Sequence, residues 1–184
     1  MHHTLKLYSR NRPLVLKFYM FFAKWTKLPL IGKLVRRAAN IWGGNMTSAF
    51  VLTLDEAIAI IDASDDLALA PCTCRETFHK CNNPLNVELM IALNHEFAAE
   101  HGKPHHRVSK EEAKAVVIDC NERGLLHTII KCRKDFYALC NCCRCCCVPL
   151  RLSKDYGIGK ALTRDKSIVE QFKNYFEYNS KDRG

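Results

Sequence analysis

Six of the eight positions from Cys140 to Cys147 are cysteine (C-N-C-C-R-C-C-C), and no other feature restricts this chain as tightly. Neighbouring cysteines such as Cys142/Cys143 and Cys145/Cys146/Cys147 point their side chains apart, and the total of 11 is odd, so a disulfide framework does not account for the run. A structural zinc site takes four ligands, usually as two separated C-x2-C pairs, and would leave several thiols idle here. Cys140, Cys143 and Cys146 form C-x2-C-x2-C, the spacing that wraps three corners of a [4Fe–4S] cube and draws its fourth ligand from elsewhere. The second supply lies upstream, where Cys72, Cys74 and Cys81 occur in P-C-T-C-R-E-T-F-H-K-C. Together the nine cysteines of the two motifs exceed by one the thiolates that two cubanes require, so the expected cofactors are two [4Fe–4S] clusters with one motif cysteine spare.

The other two cysteines read differently. Cys120 falls in the helical pattern A-V-V-I-D-C-N-E-R, where a free cysteine behaves as a small buried hydrophobe; Cys132 follows an apolar stretch and reads as a plain strand residue in preference to a substitute cluster ligand. Arg75, Lys80, Arg133, Arg144 and Arg151 sit in or beside the motifs, where a cation favours a reduced cluster or offsets its charge; Arg75 and Arg144 are the expected cluster environment. His95, His101, His105 and His106 have spacings that place no helical i, i+4 pair on one face and are expected on the surface. His127 is expected to be buried, hydrogen-bonded and structural.

Charge divides the chain. Residues 1–54 hold nine Lys/Arg and no acid, while the remainder balances nineteen basic against nineteen acidic residues, so the formal +9 belongs to the N-terminal segment alone. The body lacks the basic surplus that nucleic-acid binding demands. From Leu14 to Leu28 the segment reads as an amphipathic helix opened by Pro13, with Lys17, Lys24 and Lys27 on one stripe and Phe18, Tyr19, Phe22 and Trp25 opposite. Its longest uncharged apolar run is far short of a transmembrane span, and no secretory signal follows. Attachment to an anionic membrane surface, docking on a partner, packing on the protein's own body and a targeting peptide are the readings such a segment allows; membrane or partner docking through Lys17, Phe18, Phe22, Lys24, Trp25 and Lys27 is expected.

Beyond Gly43-Gly44-Asn45, read as a flexible break, the pattern becomes globular. Capping boxes at Thr53–Glu56 and Ser109–Glu112 predict helices to about Ala63 and Arg123, a helical pattern runs from Leu85 to about Glu100, and Leu125 to Lys131 predicts a short strand. Leu67 to Ala70 is a further short strand leading into Cys72. Val148 to Lys160 reads as irregular, and Thr163 to about Tyr178 as a final helix or tail. Helix, short strand and cysteine loop thus occur twice, a delivery that would bring both cysteine groups to one end of the body.

The combination C-T-C-R at Cys72 to Arg75, Cys81, and C-N-C-C-R-C-C-C at Cys140 to Cys147 resembles a group of uncharacterised 4Fe–4S ferredoxin-like proteins of anaerobic bacteria and archaea, over roughly Thr53 to Pro149. The resemblance implies cluster binding through the nine motif cysteines and low-potential electron transfer. Unlike an ordinary two-cluster ferredoxin, the chain has Leu150 where the fourth cysteine of C-x3-C-P would stand, which leaves open which cysteine serves which cluster.

The sequence therefore predicts a mainly α fold with short strands: a basic docking segment (1–45), a helical iron–sulfur domain (46–160) and a C-terminal helix or tail (161–184). The expected function is that of a cytoplasmic, membrane-peripheral electron carrier or redox subunit with redox-protein partners, a non-catalytic carrier being favoured over an enzyme. A redox-sensing regulator, or an enzyme with an open-site or larger cluster, are the alternatives.

Overall fold

The structure is a computed structural model that describes residues 11–45, 47–91, 105–133 and 135–181. The described residues form an α/β fold with seven α-helices and one seven-stranded mixed sheet, in place of the mainly α domain expected from sequence. The strands are β1 (Thr47–Leu52), β2 (Ala68–Pro71), β3 (Asn86–Met90), β4 (His106–Arg107), β5 (Leu126–Cys132), β6 (Asp135–Cys142) and β7 (Leu162–Thr163). They lie in the order β4-β2-β3-β6-β5-β1-β7, and every neighbouring pair is antiparallel except β1 and β7.

Two central strands carry the correction. All eight residues of β6 are buried, including Cys140 and Cys142, which were expected in an irregular loop. Strand β3 occupies part of the stretch read as a helix from Leu85; residues 92–100 of that stretch, with His95, lie outside the described residues, as does His101. Both strands are covered on each face, so neither shows the alternation of a half-exposed strand, and a continuous apolar run does not distinguish strand from buried helix.

Helices α1 (Arg12–Ala23), α2 (Gly32–Asn45), α3 (Leu54–Asp62), α4 (Thr73–Phe78), α5 (Lys110–Glu122), α6 (Val148–Tyr156) and α7 (Ile168–Lys181) flank the sheet. The capping boxes of Thr53 and Ser109 open α3 and α5 as expected. Helices α3, α5 and α7 contribute Ile60, Ile61, Val117, Ile168, Phe172 and Phe176 to a core that they share with Leu89, Ile129, Phe136 and Leu139 of the sheet. On the opposite face the sheet offers smaller side chains, Ala49, Ala70, Ala138, Cys140 and Cys142, and so leaves room for what lies over them.

That second face is covered partly by α1, whose inner stripe is Arg12, Leu16, Met20 and Ala23. The stripe repeats at helical spacing, and its apolar members pack with Cys72, Cys74, Val148 and Leu152. A 3-10 turn (Lys24–Lys27) leads to α2, which is continuous through Gly43, Gly44 and Asn45, the expected break. Gly32 is required where the two meet, because an added Cβ would stand 2.4 Å from Thr26 O. Helix α6 replaces the irregular segment expected after the cysteine run. Its Pro149 lies in the first turn and its C-cap Gly157 has φ 68°, the two ends of a helix marked by residues suited to them.

Candidate metal centre

Two strand-to-helix turns build the site. Strand β2 ends at Pro71 and Cys72 caps α4, while β6 ends at Cys142 and, after a short turn, Cys147 caps α6. Neither of these two side chains makes a capping hydrogen bond to its helix. The nine motif cysteines carry no disulfides, and they separate into two groups.

The outer group is Cys81, Cys143, Cys145 and Cys146, whose sulfurs all lie within 4.8 Å of one another. Cys81 Sγ is 3.6 Å from Cys143 Sγ and 3.8 Å from Cys146 Sγ. The Lys80 backbone N–H donates to Cys146 Sγ at 3.4 Å. Cys143 and Cys146 are buried and Cys81 and Cys145 half-buried, so one side of the group approaches the surface. Burial works to raise the Cys81 thiol, yet hydrogen bonds from the Asn83 backbone, Cys145, the Asn83 side chain and Cys143 outweigh it and bring the thiol down to about 6. Burial drives Cys145 the other way, with the Cys81 and Cys143 hydrogen bonds adding to the rise. Four convergent sulfurs, one of them readily deprotonated, suit a thiophilic metal, and this group could hold one.

The inner group surrounds a small cavity of about 50 Å³ lined by Cys72, Cys74, Cys140, Cys142 and Cys147 together with Cys143 of the outer group, and by Arg12 and Glu88. Glu88 sits on β3 directly across from Cys140 of β6. Its carboxylate pairs with Arg12 and accepts from the Thr73 backbone N–H at 3.3 Å. Arg12 also donates to Thr73 Oγ1 at 3.3 Å and lies over the Tyr137 ring, 5.0 Å from its centre. The bulge between Ile130 and Lys131 on the β5–β6 ladder leaves Tyr137 with Ala138 on this face and so presents the ring to Arg12.

Electrostatics differ from thiol to thiol. A hydrogen bond from Cys147 lowers Cys74 to about 7, with Arg12 and the Val148 N–H assisting and burial and Glu88 opposing. Cys147, the donor, is raised well above an ordinary thiol by its bonds to Cys142 and Cys74, and then by burial. Burial followed by Glu88 raises both Cys72 and Cys140. Metal binding by such thiols would release their protons.

Around both groups the framework is hydrogen-bonded. Arg75 is buried, contacts the Pro84 carbonyl and donates to the Asn141 carbonyl at 2.7 Å. Burial disfavours its charge, but a hydrogen bond with Cys143 and the neighbouring thiols reverse that, so it stays charged. Asn141 Nδ2 donates to the Val87 carbonyl at 2.8 Å, and Asn141 Oδ1 is 2.7 Å from His127 Nδ1. His127 is buried and hydrogen-bonded, and burial lowers its basicity. Of the predicted environment residues, Arg75 lies inside the site and Arg144 is exposed at its outer turn. Cys120 is buried in α5 and Cys132 ends β5 in the core; neither belongs to the two groups.

Sequence reasoning overlooked Arg12 and Glu88. The only cue for Glu88 is a single acid inside N-V-E-L-M-I, and a buried carboxylate in an apolar run needs a partner. Arg12 stands next to Pro13 among many basic residues and carries no local mark. The predicted docking residues Lys17, Phe18, Phe22, Lys24, Trp25 and Lys27 all lie away from the cysteines, on the outer parts of α1 and the 3-10 turn.

Comparison with protein-family models, with curated proteins and with solved structures returned no match to this chain.

Proposed function

We propose that this protein is an electron carrier or redox subunit holding two [4Fe–4S] clusters, one in each cysteine group, and working at an anionic membrane surface. The observation that carries the reading is the interleaving of the two groups along one segment. Cys142 and Cys147 line the inner chamber, Cys146 belongs to the outer group, and Cys143 takes part in both. Cys142 and Cys143 are bonded neighbours, as are Cys146 and Cys147, so a single peptide link joins the two groups at two places. Four thiols outside and five inside exceed what one metal ion uses.

Clusters held this way supply reversible one-electron chemistry. The chain's residues provide the rest. Buried sulfurs exclude water, Arg75 and Arg12 set positive charge beside the thiolates, and half-buried Cys81 and Cys145 form the side nearest a redox-protein partner. The fifth inner thiol is the spare one expected from the count. Balanced charge in residues 55–184 gives no support to a nucleic-acid partner.

Membrane attachment is supported by the outer surface of the N-terminal helices. Leu14, Phe18, Phe21, Trp25, Leu28, Leu30, Ile31, Leu34, Ile41 and Trp42 are all exposed there. Lysines and arginines interleave with them, each worth about 1 kcal/mol near anionic lipid. No helix among the described residues is long and apolar enough to cross a membrane; the proposed attachment is peripheral, through this surface.

One observation favours a second reading of the outer group alone. A zinc tetrathiolate with bonds of about 2.3 Å has a sulfur–sulfur edge of about 3.8 Å, and the 3.6 and 3.8 Å separations at Cys81 match it. Iron, zinc and acid-labile sulfide measured per chain on anaerobically purified protein distinguish the two. Iron with equal sulfide supports clusters; zinc without sulfide supports the structural ion.

A further inference from the structure

Helix α1, the 3-10 turn and α2 enclose an open pocket of about 470 Å³, a size suited to a small organic ligand. Phe18, Tyr19, Phe22, Trp25, Val35 and Trp42 dominate its lining, and no charged side chain lines it. Tyr19, Leu152 and Ala161 line both this pocket and the inner cysteine chamber, so the two spaces share a wall. At that wall Trp42 Nε1 donates to the Tyr19 hydroxyl at 3.2 Å. The Tyr19 hydroxyl can then pass its own hydrogen to a ligand oxygen.

Charge complementarity selects the occupant. A fatty acid or a phosphorylated lipid would bring an anion to a lining without a cation, at the full cost of burying it. A neutral flat ring finds aromatic faces to stack on, a carbonyl oxygen finds Tyr19, and an apolar tail finds the exposed side chains at the mouth, among them Phe18, Trp25 and Trp42. We propose that this pocket binds the ring of a lipid-soluble quinone. The reaction it would serve rests on the iron–sulfur reading above. Under that reading two reduced clusters would each supply one electron and two waters a proton each, so that two O–H bonds form, two hydroxides are left in solvent, and the quinol departs with both clusters oxidised.

Both tryptophans of the chain line the pocket, so their emission reports its occupancy directly. The test titrates anaerobically purified full-length protein with a decyl-substituted benzoquinone and follows tryptophan quenching, with iron measured in the same samples. Saturable quenching at one quinone per chain is expected. Ala38→Phe, which fills the pocket from α2, should weaken it about tenfold. Tyr19→Phe, which keeps the shape and removes the hydroxyl, should weaken it several-fold while leaving decanol binding unchanged. Quenching that rises linearly, or that is the same in both variants, overturns the proposal. Decanol competing as tightly as the quinone also overturns it, in favour of an acyl-chain site. Iron-free protein that still quenches saturably refutes the cluster reading and keeps the quinone site, whereas iron-replete protein without saturable quenching refutes the quinone site alone.

Discussion

Arg12 and Glu88 are the residues on which the inner chamber turns. Both are almost wholly buried, and each offsets a charge that would otherwise face thiols and apolar side chains. Removing one member of such a pair leaves the other uncompensated, at a cost of about 3–5 kcal/mol. Arg12→Ala is therefore expected to lower unfolding stability by about that much in urea titration of the anaerobic protein, and Arg12→Ala combined with Glu88→Gln to recover part of the loss. At the cysteines, Cys143→Ser should lose metal from the outer group, whereas Cys120→Ser should leave metal content unchanged; equal loss in both would place Cys120 in the site. His127 adds a pH dependence. Its folded-state basicity is lowered by burial, so the unfolded chain binds the extra proton first as pH falls. Its contribution is fully present above about pH 6.5, the ordinary histidine value, and is lost as pH falls from there towards the folded-state value. His127→Gln should flatten the stability profile in that window.

Among the elements, α2 depends on Gly32, whose missing Cβ lets the helix start against the Thr26 carbonyl. Gly32→Ala forces that contact apart and is expected to cost about 1–3 kcal/mol, read as a lower thermal midpoint together with a changed tryptophan emission from Trp25 and Trp42. Of the helices, α1, α3 and α5 were legible, whereas α2, α4 and α6 were not, and part of the helix expected from Leu85 is strand β3. Thr53–Glu56 and Ser109–Glu112 are local hydrogen-bonding devices, so α3 and α5 can be read from a few adjacent residues. Strand β5 was visible too, through its β-branched residues. Strands β3 and β6 were hidden for the opposite reason, since their pairing is set by distant partners. Glu88 meets Cys140 and Thr128 meets Cys140 from the other side, and nothing near Cys140 in sequence announces either contact. A cysteine run also looks like a ligand loop before it looks like a strand, although free cysteine is among the most readily buried residues. Helix α6 was missed despite Pro149 and Gly157, because the intervening run L-R-L-S-K-D-Y mixes two leucines with charged and polar residues and shows only a narrow apolar stripe.

Across the whole molecule, the cysteine motifs were legible and their partition was not. Spacing identified nine sulfurs, but only the fold assigns Cys81 to Cys143, Cys145 and Cys146, and places Cys72 and Cys74 with Cys140, Cys142 and Cys147. The N-terminal segment likewise serves on two sides, with Arg12, Leu16 and Tyr19 lining the inner chamber and Phe18, Phe21 and Trp25 exposed. Deleting residues 1–40 should accordingly abolish sedimentation with anionic vesicles and strip metal from the inner group, while the outer group, whose ligands all lie beyond the deletion, keeps its own. The most direct test of the central claim is the iron and acid-labile sulfide content of the anaerobically purified full-length protein, together with its electron paramagnetic resonance spectrum after reduction. Two clusters predict about eight iron and eight sulfide per chain, with interacting reduced-cluster signals because the two groups share bonded neighbours. A single zinc per chain, with neither iron nor sulfide after anaerobic reconstitution, would contradict the account.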